Sequence, residues 1–106
     1  MPRVGFVLKV KEHLIDEYRR KHQEVWPEML EALRRAGWHD YTLFMRSDGL
    51  LFGYFKTPDS FEVALGKMSR EGVNDRWQAE MAPFFEGTGG PADQMMEELV
   101  EVFHLD

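Results

Sequence analysis

Residues 40–56 read "DYTLFMRSDGLLFGYFK". Two short runs of alternating apolar and polar residues, 40–46 and 50–56, flank the join "SDG" at 47–49. Aspartate and glycine at such a join suit the tight reversal of a β-hairpin, so this stretch predicts two adjacent antiparallel strands. The pattern on either side then decides what kind of sheet the hairpin belongs to.

Before the hairpin, from about 13 to 36, apolar and aromatic residues recur at three and four: Ile15, Tyr18, His22, Val25, Trp26, Met29, Leu30 and Leu33. That is helical periodicity. Pro27 interrupts it and must either kink the helix or open a second one, and Gly37 is a natural stop. Further upstream, "RVGFVLKVK" (3–11) alternates with Val4, Phe6, Leu8 and Val10 on one face, which predicts a first strand.

After the hairpin, "TPDSFEVALGKMSR" (57–70) predicts a helix with Pro58 early and Asp59 or Ser60 as its cap. Gly72 separates it from "VNDRWQAEMAPFF" (73–85), a second short helix ending near Pro83. "EGTGGPAD" (86–93) reads as a flexible loop, and "EELVEVFHL" (97–105) alternates again as a closing strand. The order strand, helix, strand, strand, helix, strand is that of two split βαβ units. It predicts an α+β, ferredoxin-like βαββαβ domain: a four-stranded antiparallel sheet with helices on one face. With 106 residues the whole chain, 1–106, is one domain.

A sheet covered on one side only needs a polar far face, or a cover for it. Here several strands carry apolar residues on both faces: Val7 opposite Phe6 and Leu8, Leu43 opposite Phe44, Phe103 opposite Val102. The expectation is a homodimer whose second copy covers the far face.

Composition removes several classes of function. A net charge of −6, with 13 Lys and Arg against 19 Asp and Glu, repels phosphate backbones and argues against nucleic acid. The absence of cysteine excludes disulfides, thiolate nucleophiles and Cys-based metal centres. No window approaches the roughly 20 apolar residues of a membrane span, and the N-terminal "MPRVGFVLKVKEH" has no apolar segment fit for a secretion signal. The expectation is a soluble, cytoplasmic protein with no membrane partner. Phosphate-cradling, serine-elbow and dinucleotide motifs are all missing, and His13 with Glu17 has helical i,i+4 spacing but no third or fourth ligand, so neither metal nor cofactor is expected.

Chemistry centres on "EYRRKHQEVWPEM" (17–29), where Tyr18, His22 and Trp26 fall at four-residue intervals. On one helix face they would form a column of phenol, imidazole and indole. Histidine titrates near neutrality and can move a proton, while flat aromatic rings with polar edges suit sugars. By pattern alone ordinary core packing, with His22 bonded to a carbonyl, is favoured over a pocket. Trp38, Tyr41, Trp77, Phe84 and Phe85 form a second aromatic set that could face the same cavity.

The combination of Tyr18, His22, "VWPEM" (25–29), Gly37 with His39 and Tyr41, "LLF" (50–52), "RWQAEM" (76–81) and the closing "ELVEVFHL" resembles the L-rhamnose mutarotase family over nearly the entire chain. The spaced Tyr-His-Trp-Pro-Glu core is far more specific than any one of its residues. The resemblance implies a dimeric α+β barrel protein, an isomerase that interconverts the α and β anomers of L-rhamnopyranose without metal or organic cofactor. It implies His22 as proton donor, with Tyr18 and Tyr41 on the sugar, Trp77 walling the pocket and Trp26 beside them. Where some relatives have a second tryptophan after that wall residue, this chain has Gln78, which takes the corresponding place against the sugar. Two other readings remain: a cofactor-free monooxygenase or haem-degrading protein of the same barrel type, and a non-catalytic sugar-binding dimer.

Overall fold

The computed structural model describes residues 1–87, 93 and 95–106. The first strand, β1, spans Arg3–Lys9. A single 3-10 turn, Glu12–Leu14, leads into helix α1, Ile15–Gln23. Helix α2, Pro27–Arg35, follows after a break of three residues. The hairpin strands are β2, His39–Met45, and β3, Leu50–Lys56. Helices α3, Phe61–Met68, and α4, Gly72–Met81, come next, then a 3-10 turn at Ala82–Phe84 and β4, Glu97–Leu99. The sheet order is β2-β3-β1-β4 and every pairing is antiparallel, as the ferredoxin-like plan requires.

The helical run expected over 13–36 is two helices. Proline disfavours the helical conformation in the residue before it, and Trp26 is accordingly extended, at φ −56° and ψ 134°. Pro27 then occupies the first turn of α2, where its missing N–H costs nothing. The column of three rings is therefore broken: Tyr18 and His22 share α1, whereas Trp26 lies beyond its end. Between the cap candidates of α3 the structure selects Ser60, whose Oγ accepts from the Val63 N–H at 3.1 Å.

The closing strand is also shorter than 97–105. Gly5, Phe6 and Val7 pair with Leu99, Glu98 and Glu97, and Arg3 still reaches Glu101 through a 2.8 Å ion pair. The ladder ends at Leu99, two residues short of the start of β1, and beyond Glu101 the tail runs past Arg3 with no strand among the described residues paired to it. Most of the loop expected over 86–93 falls at 88–92, outside the described residues.

One face of the sheet packs on the helices. Val4, Phe6 and Leu8 of β1 and Leu51 and Phe55 of β3 are buried there with Met29, Ala32, Phe61, Ala64 and Trp77. Burying each large side chain contributes about 1.5–3 kcal/mol. Phe6 lies across Gly53, its partner in the ladder, so tightly that a Cβ on Gly53 would stand 2.2 Å from the ring. Trp38 stacks on Phe55 with centroids 4.0 Å apart and donates from Nε1 to the Ala64 carbonyl at 3.1 Å. Near the start of β2 the ladder gains a residue between His39 and Thr42, with Asp40 left-handed at φ 53°. Bulges of this kind re-aim side chains next to functional sites, and Asp40 and Tyr41 lie inside this one.

The other face is partly apolar and open. Phe44 and Phe52, paired across the hairpin, are 61% and 38% exposed, and Leu99, Val100, Val102, Phe103 and Leu105 are exposed as well. No helix of the described residues is long and apolar enough to cross a membrane.

Candidate active site

Between sheet and helices lies a cavity of about 360 Å³, within the range of small-molecule pockets. Its lining is mostly apolar, with Leu8, Met29, Leu43 and Met81 among the contributors. Among the described residues its polar lining is Tyr18 and His22 from α1, Tyr41 from β2, Asn74 and Gln78 from α4, and Asp93. Trp77 closes one side.

The imidazole of His22 is fixed from three directions. Its ring stacks on Tyr18 with centroids 4.1 Å apart and planes 28° from parallel. The Trp77 indole meets it edge-on at 5.6 Å. Its Nδ1 lies 3.0 Å from the Tyr18 carbonyl oxygen. A carbonyl can only accept, so Nδ1 carries the proton and the basic lone pair sits on Nε2. Burial lowers the His22 pKa below its ordinary value, and the carbonyl contact offsets that in part. At neutral pH the ring is therefore an uncharged base.

Both phenols are pushed the other way. Burial raises the Tyr18 pKa, with a smaller contribution from Tyr41, and burial alone raises that of Tyr41. Each stays a protonated hydroxyl across the accessible pH range. Tyr41 is seated by Trp38 at 5.0 Å and Phe6 at 6.2 Å, so the core aromatic cluster sets its position.

The cavity unites Tyr18, His22, Tyr41, Trp77 and Gln78, five of the six residues singled out from sequence. Trp26 is placed differently: it is half-buried behind Trp77, edge to face at 5.0 Å and 82°, and does not line the cavity. Asn74 and Asp93 were missed. Asparagine in a helix and aspartate after a glycine-rich stretch carry no periodic signal, and only the fold brings them to the wall. A more open cleft of about 510 Å³ shares Tyr18 and His22 and adds Arg19, Gln23, Arg46 and Ser47, so the imidazole borders space on two sides. Among the described residues, no three His, Cys, Asp or Glu side chains stand together as a metal would require.

The fold is thus a ferredoxin-like sheet opening beneath its helices onto an aromatic cavity bordered by one imidazole. The profile of the L-rhamnose mutarotase family matches residues 3–105. The L-rhamnose mutarotases of Oceanobacillus iheyensis and Bacillus subtilis are each 36% identical to this chain, with both partners covered completely. That of Shouchella clausii is 34% identical over 99% of each chain. In fold, the crystal structure of L-rhamnose mutarotase from Formosa agariphila superposes with a TM-score of 0.82, covering all of both chains at 21% identity. This chain belongs to the L-rhamnose mutarotase family. The match spans the Trp-Pro-Glu stretch that a monooxygenase or haem-degrading reading leaves unexplained.

Proposed function

We propose that this chain is an aldose mutarotase acting on L-rhamnose, with His22 moving the protons and Tyr18, Tyr41, Trp77 and Gln78 contacting the sugar. Family membership over the full chain supports the reaction. The observation that carries the residue assignment is the Nδ1 contact of His22 with the Tyr18 carbonyl, because it leaves Nε2 basic at the edge of the cavity.

The steps follow from the hemiacetal. Nε2 of neutral His22 takes the proton of the anomeric hydroxyl, forming an alkoxide on C1. The C1–O5 bond breaks as that alkoxide becomes the aldehyde carbonyl, and the imidazolium returns its proton to O5. Rotation about C1–C2 turns the other face of the aldehyde toward O5, and the same steps reversed close the ring to the opposite anomer. Both oxygens are bonded to C1, so one imidazole reaches both. Anomers exchange spontaneously, so positioned acid-base catalysis, typically worth about 10²–10⁴-fold, is of the required size. This chemistry requires no metal or organic cofactor.

The working form is a cytoplasmic homodimer. The open sheet face with Phe44, Phe52 and Leu99, together with an apolar tail that has outrun β1, supports a second copy as cover.

Saturation-transfer NMR on L-rhamnose, L-fucose and D-ribose tests activity and specificity together. The expected result is accelerated exchange for L-rhamnose that His22→Ala abolishes. Full exchange in a folded His22→Ala protein removes His22 from the mechanism.

A further inference from the structure

One wall of the cavity has no part in the proton transfer. Asn74 and Gln78 lie one turn apart on α4, and Gln78 Nε2 donates to Asn74 Oδ1 at 3.0 Å. Asp93 crosses over them. Its backbone N–H donates to Gln78 Oε1 at 3.1 Å, and Asn74 Nδ2 donates to its Oδ2 at 3.3 Å. Each amide both donates and accepts, so the three bonds form a closed ring that fixes which way each amide faces. Asn74 is 2% exposed. Among the described residues, no hydrogen bond links this network to His22 or Tyr18, and Asp93 is the one carboxylate of the lining.

A carboxylate beside apolar side chains is costly unless donors surround it. It has room for about four, and among the described residues one side chain supplies a donor. Sugar hydroxyls are donors of the right kind. In a pyranose the C3–C4 bond lies opposite the C1–O5 bond, so with His22 at C1 and O5 the hydroxyls on C3 and C4 extend away from the imidazole. Asn74 and Gln78 stand on either side of Trp77 in α4, the ring that borders His22, and the network continues from them to Asp93.

We propose that Asp93 is a specificity-determining residue that accepts hydrogen bonds from hydroxyls on the C3–C4 edge of the sugar. Asn74 positions its carboxylate, and Gln78, besides its own contact with the sugar, holds its backbone N–H. This inference rests on the mutarotase reading and adds to it the feature by which substrates are told apart. The pocket selects for ring hydroxyls at that edge, because a partly buried acceptor left without its donor penalises an analogue that lacks one.

The test uses the full chain and exchange NMR at several concentrations of L-rhamnose and its 3-deoxy and 4-deoxy analogues. The wild-type protein is expected to lose about tenfold or more in kcat/KM on at least one analogue. Asp93→Ala, which retains the backbone N–H held by Gln78, is expected to raise KM for L-rhamnose about tenfold with kcat changed less than about threefold. In that variant the deoxy analogue should cost no more than about a further twofold, since side chain and hydroxyl belong to one interaction. Gln78→Met should move KM the same way by a smaller factor. Asp93→Asn, which keeps an oxygen for Asn74, repeats the comparison if the alanine variant unfolds. An unchanged KM overturns the proposal. So does a fall in kcat at constant KM, which would put the carboxylate on the proton path, and so does an equal loss on the deoxy analogue in variant and wild type. A wild-type protein that exchanges none of the sugars overturns the mutarotase reading and this inference together. Wild-type exchange that Asp93→Ala leaves untouched overturns this inference alone.

Discussion

His22 leans on the residue one helical turn before it twice over: its Nδ1 lies 3.0 Å from the Tyr18 carbonyl oxygen, and its ring stacks on the Tyr18 ring at 4.1 Å. One contact sets the tautomer and the other the plane of the ring. The base of the proposed reaction is thus oriented almost entirely within α1.

The lowered pKa of His22 has a defined consequence for activity. Exchange should be flat at neutral pH and fall on the acid side, with an apparent pKa below the unperturbed value of about 6.5. Stability should move in the same direction. The unfolded chain binds a proton at His22 more readily than the folded one, so stability is full above about pH 6.5 and declines as pH drops toward the folded pKa. Thermal melts across this range, compared with His22→Gln, measure the contribution; the variant should lose that part of the slope.

Tyr18→Phe keeps both the backbone carbonyl and the ring that hold His22, and removes only a hydroxyl. The variant should fold, keep the His22 environment by NMR, and lose about tenfold in kcat/KM on L-rhamnose through the missing sugar contact. Tyr41→Phe should behave alike. Loss of the His22 signal in Tyr18→Phe would show the hydroxyl to be structural.

Trp26 and Trp77 make a graded pair. Trp77 borders the cavity while Trp26 stands behind it. Trp77→Ala should raise KM sharply, whereas Trp26→Leu should raise it by no more than about threefold while lowering Tm through lost packing. Equal effects on KM would place Trp26 against the sugar after all.

Gly53→Ala should destabilise the fold by about 1–3 kcal/mol, the usual cost of overpacking, because the added methyl meets the fully buried Phe6 ring. Chemical denaturation measures it. Phe6→Leu in the same chain should recover part of the loss.

Phe44→Lys places a charge on the open face, away from the cavity. Sedimentation should show the wild type as a dimer and this variant shifted toward monomer, with its secondary structure retained. A wild-type monomer at micromolar concentration sinks the dimer proposal.

Reading residues in order was enough for the layout of the domain. Strand alternation at 3–11, 40–46 and 50–56 and the three-and-four spacing of Ile15 to Leu33 are local consequences of burying one side of each element, so the βαββαβ order was legible before any coordinates. Pro27 told of an interruption, and neighbour sterics at Trp26 decided that it was a full break. The length of β4 was not legible, because alternation continues to Leu105 while pairing with β1 stops at Leu99, opposite Gly5. Tyr18 and His22 pointed to the cavity because their four-residue spacing is a local property of one helix, whereas Trp26, Pro27 and Glu28 do not line it. The tertiary structure alone set Trp26 behind Trp77 and brought Asn74, Gln78 and Asp93 into one hydrogen-bonded ring. It also made His22 a neutral base, since desolvation depends on which distant side chains close over the ring and not on the residues beside it in the chain.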